Sequence, residues 1–218
     1  MKRLCLTALL LLAGAGFAQS GGSFANLVIT PAGNEEFDIA TGVTTLTDGG
    51  EIHDRSSGIV FTAEHISYRV DEYIDAENSV VTGSFGTVTA DSVHVDIASS
   101  TLTAEGGLQL EGRNLFVSGD LLSYSPGSGV LSVKGNVTAT DPQFNTSRLL
   151  YHTASGTVLL FGPYSFDDGF LRLDAGDASA MLELKRPEVE PEAGEDFFFE
   201  VSSTPSEATL GLFQGWLD

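Results

Sequence analysis

A repeat limits most strongly what this chain can become. Phe61-Thr62-Ala63-Glu64-His65-Ile66-Ser67-Tyr68 aligns with Val88-Thr89-Ala90-Asp91-Ser92-Val93-His94-Val95 and with Val117-Ser118-Gly119-Asp120-Leu121-Leu122-Ser123-Tyr124. A weaker fourth copy is Asn145-Thr146-Ser147-Arg148-Leu149-Leu150-Tyr151-His152. With the small third residue as marker (Ala63, Ala90, Gly119, Ser147), the copies stand 27, 29 and 28 residues apart. A fifth begins at Leu173-Asp174-Ala175. Between copies runs a second apolar segment that closes on glycine: Val81-Thr82-Gly83, Leu102 to Gly106, Leu131 to Gly135, and Leu159-Leu160-Phe161-Gly162. Self-similarity at a fixed period of this size marks stacked supersecondary units. Each unit, about 28 residues long, holds two strands and two turns. Ala98-Ser99-Ser100, Ser125-Pro126-Gly127-Ser128-Gly129 and Thr153-Ala154-Ser155-Gly156 supply turn residues at the required places.

Parity within the unit adds geometry. Apolar or small residues fill the first and third positions, then the sixth and eighth. Side chains alternate faces along a strand, so this pattern changes face midway. A β-bulge or corner at Glu64-His65, Asp91-Ser92, Asp120-Leu121 and Arg148-Leu149 absorbs the extra residue and turns both halves toward one interior. The expected fold is all-β, a long sheet folded over on itself. An ordinary two-sheet sandwich with repeated turn signals is the alternative.

The two ends read differently. Lys2 and Arg3, the apolar run Leu4 to Ala15, and Gly16-Phe17-Ala18 make a signal peptide over residues 1–18, with cleavage after Ala18; an uncleaved anchor is the alternative. Cys5, the single cysteine, leaves with that segment, so the exported chain relies on packing and sheet pairing without disulfides. The full chain has 30 acids against 10 bases, a formal charge of −20, which repels phosphate backbones and argues against nucleic acid as a partner. Beyond the first twenty residues no apolar run approaches the roughly 18–20 residues of a membrane-spanning helix. Residues 185–196 are acidic and proline-spaced, an extended linker. Residues 197–218 read as a last strand, Phe197 to Val201, and a short amphipathic helix with Leu210, Leu212, Phe213, Trp216 and Leu217. Its expected role is to cap an open end of the fold, with partner docking or membrane-surface contact as the alternative.

These units, apolar-x-Ala/Gly-Asp/Glu-x-apolar-x-Tyr followed by Leu-x-x-x-Gly-Asn-Val, resemble the OstA-like family, which includes the periplasmic lipopolysaccharide-transport protein LptA. The resemblance is closest from Leu108 to Val137 and covers roughly residues 24–184. It implies a twisted β-jellyroll open at both ends, exported to the periplasm or cell envelope. Envelope lipid would be held in an apolar groove. Edge strands would pair with further copies or with other jellyroll transport proteins in outer-membrane biogenesis. Such transport needs no chemistry and no cofactor; burying acyl chains yields about 0.8 kcal/mol per methylene. The candidate groove residues are Phe61, Ile66, Val88, Val93, Leu102, Val117, Leu122, Leu131, Val133, Leu150, Leu159 and Phe161, with a closed core as the alternative. Arg113, Lys134 and Arg148 are candidate headgroup contacts, three scattered bases in an acidic chain.

The remaining chemistry is sparse. His53, His65, His94 and His152 lack transition-metal spacing and read as solvated strand residues. Asp167, Asp168, Asp174 and Asp177 lack the ordered spacing of a calcium loop and read as a solvated turn. Asn136-Val137-Thr138 and Asn145-Thr146-Ser147 match the N-glycosylation pattern but read as turns. No nucleophile elbow is present, so the chain is not read as an enzyme. Beside lipid handling stand two other readings, a structural envelope scaffold and, more remotely, a carbohydrate-active enzyme.

Overall fold

The computed structural model describes residues 24, 26–112, 115–187 and 198–217. The signal segment, Arg113 and most of the linker therefore lie outside the described residues. Among the described residues seventeen strands and one helix follow in chain order. The strands are β1 (Leu27–Pro31), β2 (Glu35–Asp38), β3 (Val43–Leu46), β4 (Gly50–Asp54), β5 (Ile59–Arg69), β6 (Tyr73–Gly83), β7 (Gly86–Asp96), β8 (Thr101–Glu105), β9 (Gln109–Gly112), β10 (Leu115–Ser118), β11 (Leu121–Ser125), β12 (Val130–Thr140), β13 (Gln143–His152), β14 (Thr157–Asp167), β15 (Arg172–Ala175), β16 (Met181–Lys185) and β17 (Glu200–Ser202). The helix α1 spans Glu207–Leu212.

All pairings are antiparallel and belong to one hydrogen-bonded sheet. Six long strands cross a crease and serve two layers. In β5, Ile59 to Ala63 pair with β4, whereas Ile66 to Tyr68 pair with β3. In β7, Thr87 to Thr89 pair with β9, and Ser92 to Asp96 with β8. In β14, Val158 to Phe161 pair with β16, and Tyr164 to Asp167 with β15. One layer thus runs from β1 through β4, β9 and β10 to β15, and the other from β2 through β3, β8 and β11 to β17. Among the described residues β1 and β2 form the edges at one end, and β15 and β17 those at the other. This is an open, twisted jellyroll: a sheet folded along its middle, with turns forming two lips opposite the crease.

The crease falls where parity changes. Pairing of β5 with β6 skips Glu64 and Asn78, and pairing of β6 with β7 skips Asn78 and Asp91. Farther on, Gly135 and Asn136 bulge opposite Ser147, as do Gly162 and Pro163. Asn78 and Asn136 take left-handed backbone, φ 50° and 46°, a conformation that Asn tolerates better than most residues. Their amides donate to Glu64 Oε2 and Asp120 Oδ2, both at 2.8 Å. In the first and third copies the acid at the fourth position is thus an acceptor that holds the bend. At the third position Ala63 and Ala90 fit, whereas a Cβ at Gly119 would press on Val133 Cγ1, which favours glycine there.

The inward set is Phe61, Ala63, Ile66, then Val88, Ala90, Val93, Val95, then Val117, Leu122, Tyr124. In the fourth unit it is Phe144, then Leu149 and Tyr151, which moves the alignment by one residue: Thr146, not Ser147, precedes the bend. The closing segment shows the same slip. Leu102, Leu131 and Val158 each stand four residues before a crease glycine, so Val158 and Leu160, not Leu159 and Phe161, face the interior.

The C-terminal segment serves both faces of one layer: Phe199 is buried in the interior cluster with Val201 packed against it, whereas the residues from α1 onward lie on the outer face. β17 extends β16. Phe213 is fully buried in a cluster with Val130, Leu150, Leu159 and Phe161, and Leu210, Trp216 and Leu217 pack against it. Ser206 caps α1 by accepting from Thr209 N–H.

Candidate functional site

The interior between the layers is the candidate site, and it is densely filled along most of its length. Nine of the twelve sequence-chosen residues lie in it: Phe61, Ile66, Val88, Val93, Leu102, Val117, Leu122, Leu131 and Val133, each no more than 1% exposed. Leu150, Leu159 and Phe161 lie on the opposite face of the same strands, under the C-terminal segment. Both faces of β13 and β14 are apolar there, so period-two alternation alone does not tell inside from outside.

Turns on the two lips meet across the interior. Ser84 Oγ lies 3.2 Å from Tyr124 Oη, and the Phe85 ring stands edge-on to Tyr124 at 4.8 Å between centroids. At the β1 end Phe24 packs against Phe61, 6.1 Å between centroids, and donates its N–H to buried Asp54 at 3.0 Å. Burial pushes Asp54 up, but hydrogen bonds from Ser56, Ser57 and Phe24 outweigh it and hold the carboxyl below the ordinary range.

Beside Phe24 the filling stops. A cavity of about 190 Å³ opens between β1 and the lip of the other layer, lined by Phe24, Leu27, Ile29, Tyr68, Ile74 and Ile97, with Arg69, Val70, Asp71 and Tyr73 also bordering it. The set of groove residues chosen from sequence includes none of these. Tyr68 and Ile74 carried the signal, since Tyr68 fills the eighth repeat position and Ile74 stands four residues before the crease residue Asn78. Tyr68 donates to Glu35 Oε1 at 3.3 Å, and burial raises its phenol above the ordinary value. Arg69 pairs with Glu72 at 3.0 Å.

Of the three candidate headgroup contacts, Lys134 is exposed on β12 and Arg113 lies outside the described residues. Arg148 is committed elsewhere: it donates to the Trp216 carbonyl and lies 5.0 Å from the Phe161 ring centroid, which fastens the C-terminal segment. That segment is held at its other end by buried Glu183, which accepts from Thr209 Oγ1, from Ser206 N–H at 3.2 Å and from Lys185 Nζ at 2.6 Å. Burial pushes Glu183 up; Lys185, Thr209 and Ser206 together hold it below its ordinary value.

The other singled-out residues sit in local roles. His94 pairs with Asp75 at 2.6 Å and stacks on Tyr73, and His152 contacts Ser155 Oγ. Asp167, Asp168 and Asp177 accept backbone N–H groups of their own turns, and Asp174 pairs with Arg172. Asn136 sits at the crease, whereas Asn145 lies within β13 and not in a turn. Both border a shallow outer depression of about 610 Å³ with Thr138, Ser147, Pro163 and Ser165.

No protein-family model matches the chain. No curated protein matches it either. Among solved structures it is similar to the crystal structure of LptH, the LptA-homologous periplasmic component of the lipopolysaccharide transport device from Pseudomonas aeruginosa. The identity is 8%, over 85% of this chain and 99% of that one, with a TM-score of 0.26.

Proposed function

We propose that the chain is an exported protein of the periplasm or cell envelope, cleaved after Ala18, that handles envelope lipid between its two layers and joins other copies or jellyroll partners through its edge strands. The observation that carries this reading is one continuous sheet folded around an apolar layer, with strand edges at both ends and a hollow beside β1. The OstA-like pattern of the repeat supports it. Unpaired edges are templates for strand addition, which supplies assembly through main-chain hydrogen bonds. Lys134 is exposed but follows inward-facing Val133 at the crease, so it points away from the interior and does not border the hollow beside β1.

A second reading has an observation of its own. The nine inward residues fill the space between the layers, as a closed core does, which favours a structural envelope scaffold. Delipidated protein titrated with a fluorescent fatty-acid probe separates the two. Saturable protection of the probe is expected for lipid handling. Oligomers that grow with concentration while the probe stays unprotected would replace it with the scaffold.

A further inference from the structure

The hollow beside β1 limits what such a site can take. We propose that it receives a single alkyl chain whose headgroup is neutral or cationic, and that it excludes both multi-chain and anionic amphiphiles; this rests on the lipid-handling reading above. Volume sets the first limit. An apolar cavity of about 150 Å³ holds one benzene-sized guest, and pockets for drug-sized ligands start at about 300 Å³. At about 190 Å³ the cavity admits the end of one chain and has no room for a second. Farther along, the interior is occupied by side chains, and the Ser84, Phe85 and Tyr124 contacts join the lips.

Charge at the rim sets the second limit. Asp71 and Arg69 border the cavity, Glu72 pairs with Arg69, and Glu35 holds the hydroxyl of the lining Tyr68. One carboxylate on the rim and two bonded to rim side chains thus accompany one guanidinium, and that guanidinium is already paired. A phosphate or carboxylate head entering here meets net repulsion within one Debye length, about 8–10 Å at ordinary salt. An ammonium head meets attraction, and the Tyr68 ring supplies a face for it.

The test uses full-length exported protein and three probes of equal chain length: dodecyltrimethylammonium, dodecyl maltoside and dodecyl phosphate, each below its micelle concentration. Calorimetry should give one site per chain, with the phosphate at least tenfold weaker than the other two. Ile97→Trp should weaken all three at least tenfold; Ile97 is only half-buried, so the melting temperature should hold. Asp71→Asn, which removes a rim carboxylate and keeps a residue that tolerates the left-handed backbone there (φ 61°), should raise phosphate binding toward the others. Wild-type binding that Ile97→Trp leaves unchanged, more than one chain per protein, or equal affinity for the phosphate would each overturn this site while leaving lipid handling elsewhere intact. No binding of any probe to wild type would overturn both.

Discussion

The strand triplets β5–β7 and β12–β14 are built alike on the inside and differ on the outside. Both send ten- or eleven-residue strands across the crease and turn apolar residues inward on either side of it. Outside, the half of the first triplet that lies in the layer of β2 and β17 carries His65, Ser67, Asp75, Glu77, Ser92 and His94 toward solvent. The corresponding half of the second carries Val130, Leu150, Leu159 and Phe161, with Phe213, Leu210, Trp216 and Leu217 laid over them. One backbone plan therefore tolerates a wet or a dry outer surface, provided that a dry one brings its own cover. The cover is fixed by two polar anchors, Glu183 at the start of α1 and Arg148 at the Trp216 carbonyl.

The largest effect should come from removing that cover. Deleting residues 204–218 uncovers Leu150, Leu159 and Phe161, at a cost on the order of 5 kcal/mol from four apolar side chains lost. Thermal unfolding should show a melting temperature lower by roughly 10 °C or more, at about 2–4 °C per kcal/mol for a chain of this size. A dye that reports exposed apolar surface should bind the truncated protein. An unchanged melting temperature would remove the dry half of the comparison.

Next comes the crease between the triplets. Gly119→Ala forces a Cβ into Val133 and should cost about 1–3 kcal/mol in urea unfolding. Ala63→Gly in the first triplet leaves the same bend roomy and should cost only about 0.5–1 kcal/mol. Equal costs would mean that the two bends are packed alike.

Glu183→Gln probes the anchor at about 1–2 kcal/mol near neutral pH. Glu183 and Asp54 are both held below their ordinary values in the folded chain. Each therefore stabilises the fold above the unfolded carboxylate pKa, about 4, and stops doing so as pH falls through the lower folded value. Wild-type stability should drop on acidification below about pH 4, and Glu183→Gln should flatten part of that drop. A variant with the full wild-type acid dependence would exclude Glu183 as its source. The smallest effect belongs to the wet face: Asp75→Asn breaks the exposed contact to His94 and should cost less than about 0.5 kcal/mol.

Much of this was legible in the sequence, and the misreadings have definite causes. The parity change at Glu64, Asp91 and Asp120 predicts the crease because two inward residues cannot stand three apart on a flat strand. In the fourth unit the sequence pattern falls one residue late because Ser147 imitates the small third position, although the bulge there removes the need for it. Leu159 and Phe161 passed for interior because their outer face is covered by residues far along the chain, a tertiary fact that no local pattern carries. Leu102 and Leu131, both candidate groove residues, stand four residues before Gly106 and Gly135, and the same spacing from Gly162 points to Val158. The hollow beside β1 was not legible, since it depends on how Phe24 and the Arg69 to Tyr73 turn fit together across two layers.

Native mass spectrometry of the protein purified from its own envelope tests the central claim most directly, because it reads ligand mass and assembly at once. The account predicts a chain beginning at Gln19 that carries a lipid adduct. Bare protein at every charge state, released from an envelope where lipid is abundant, would contradict it.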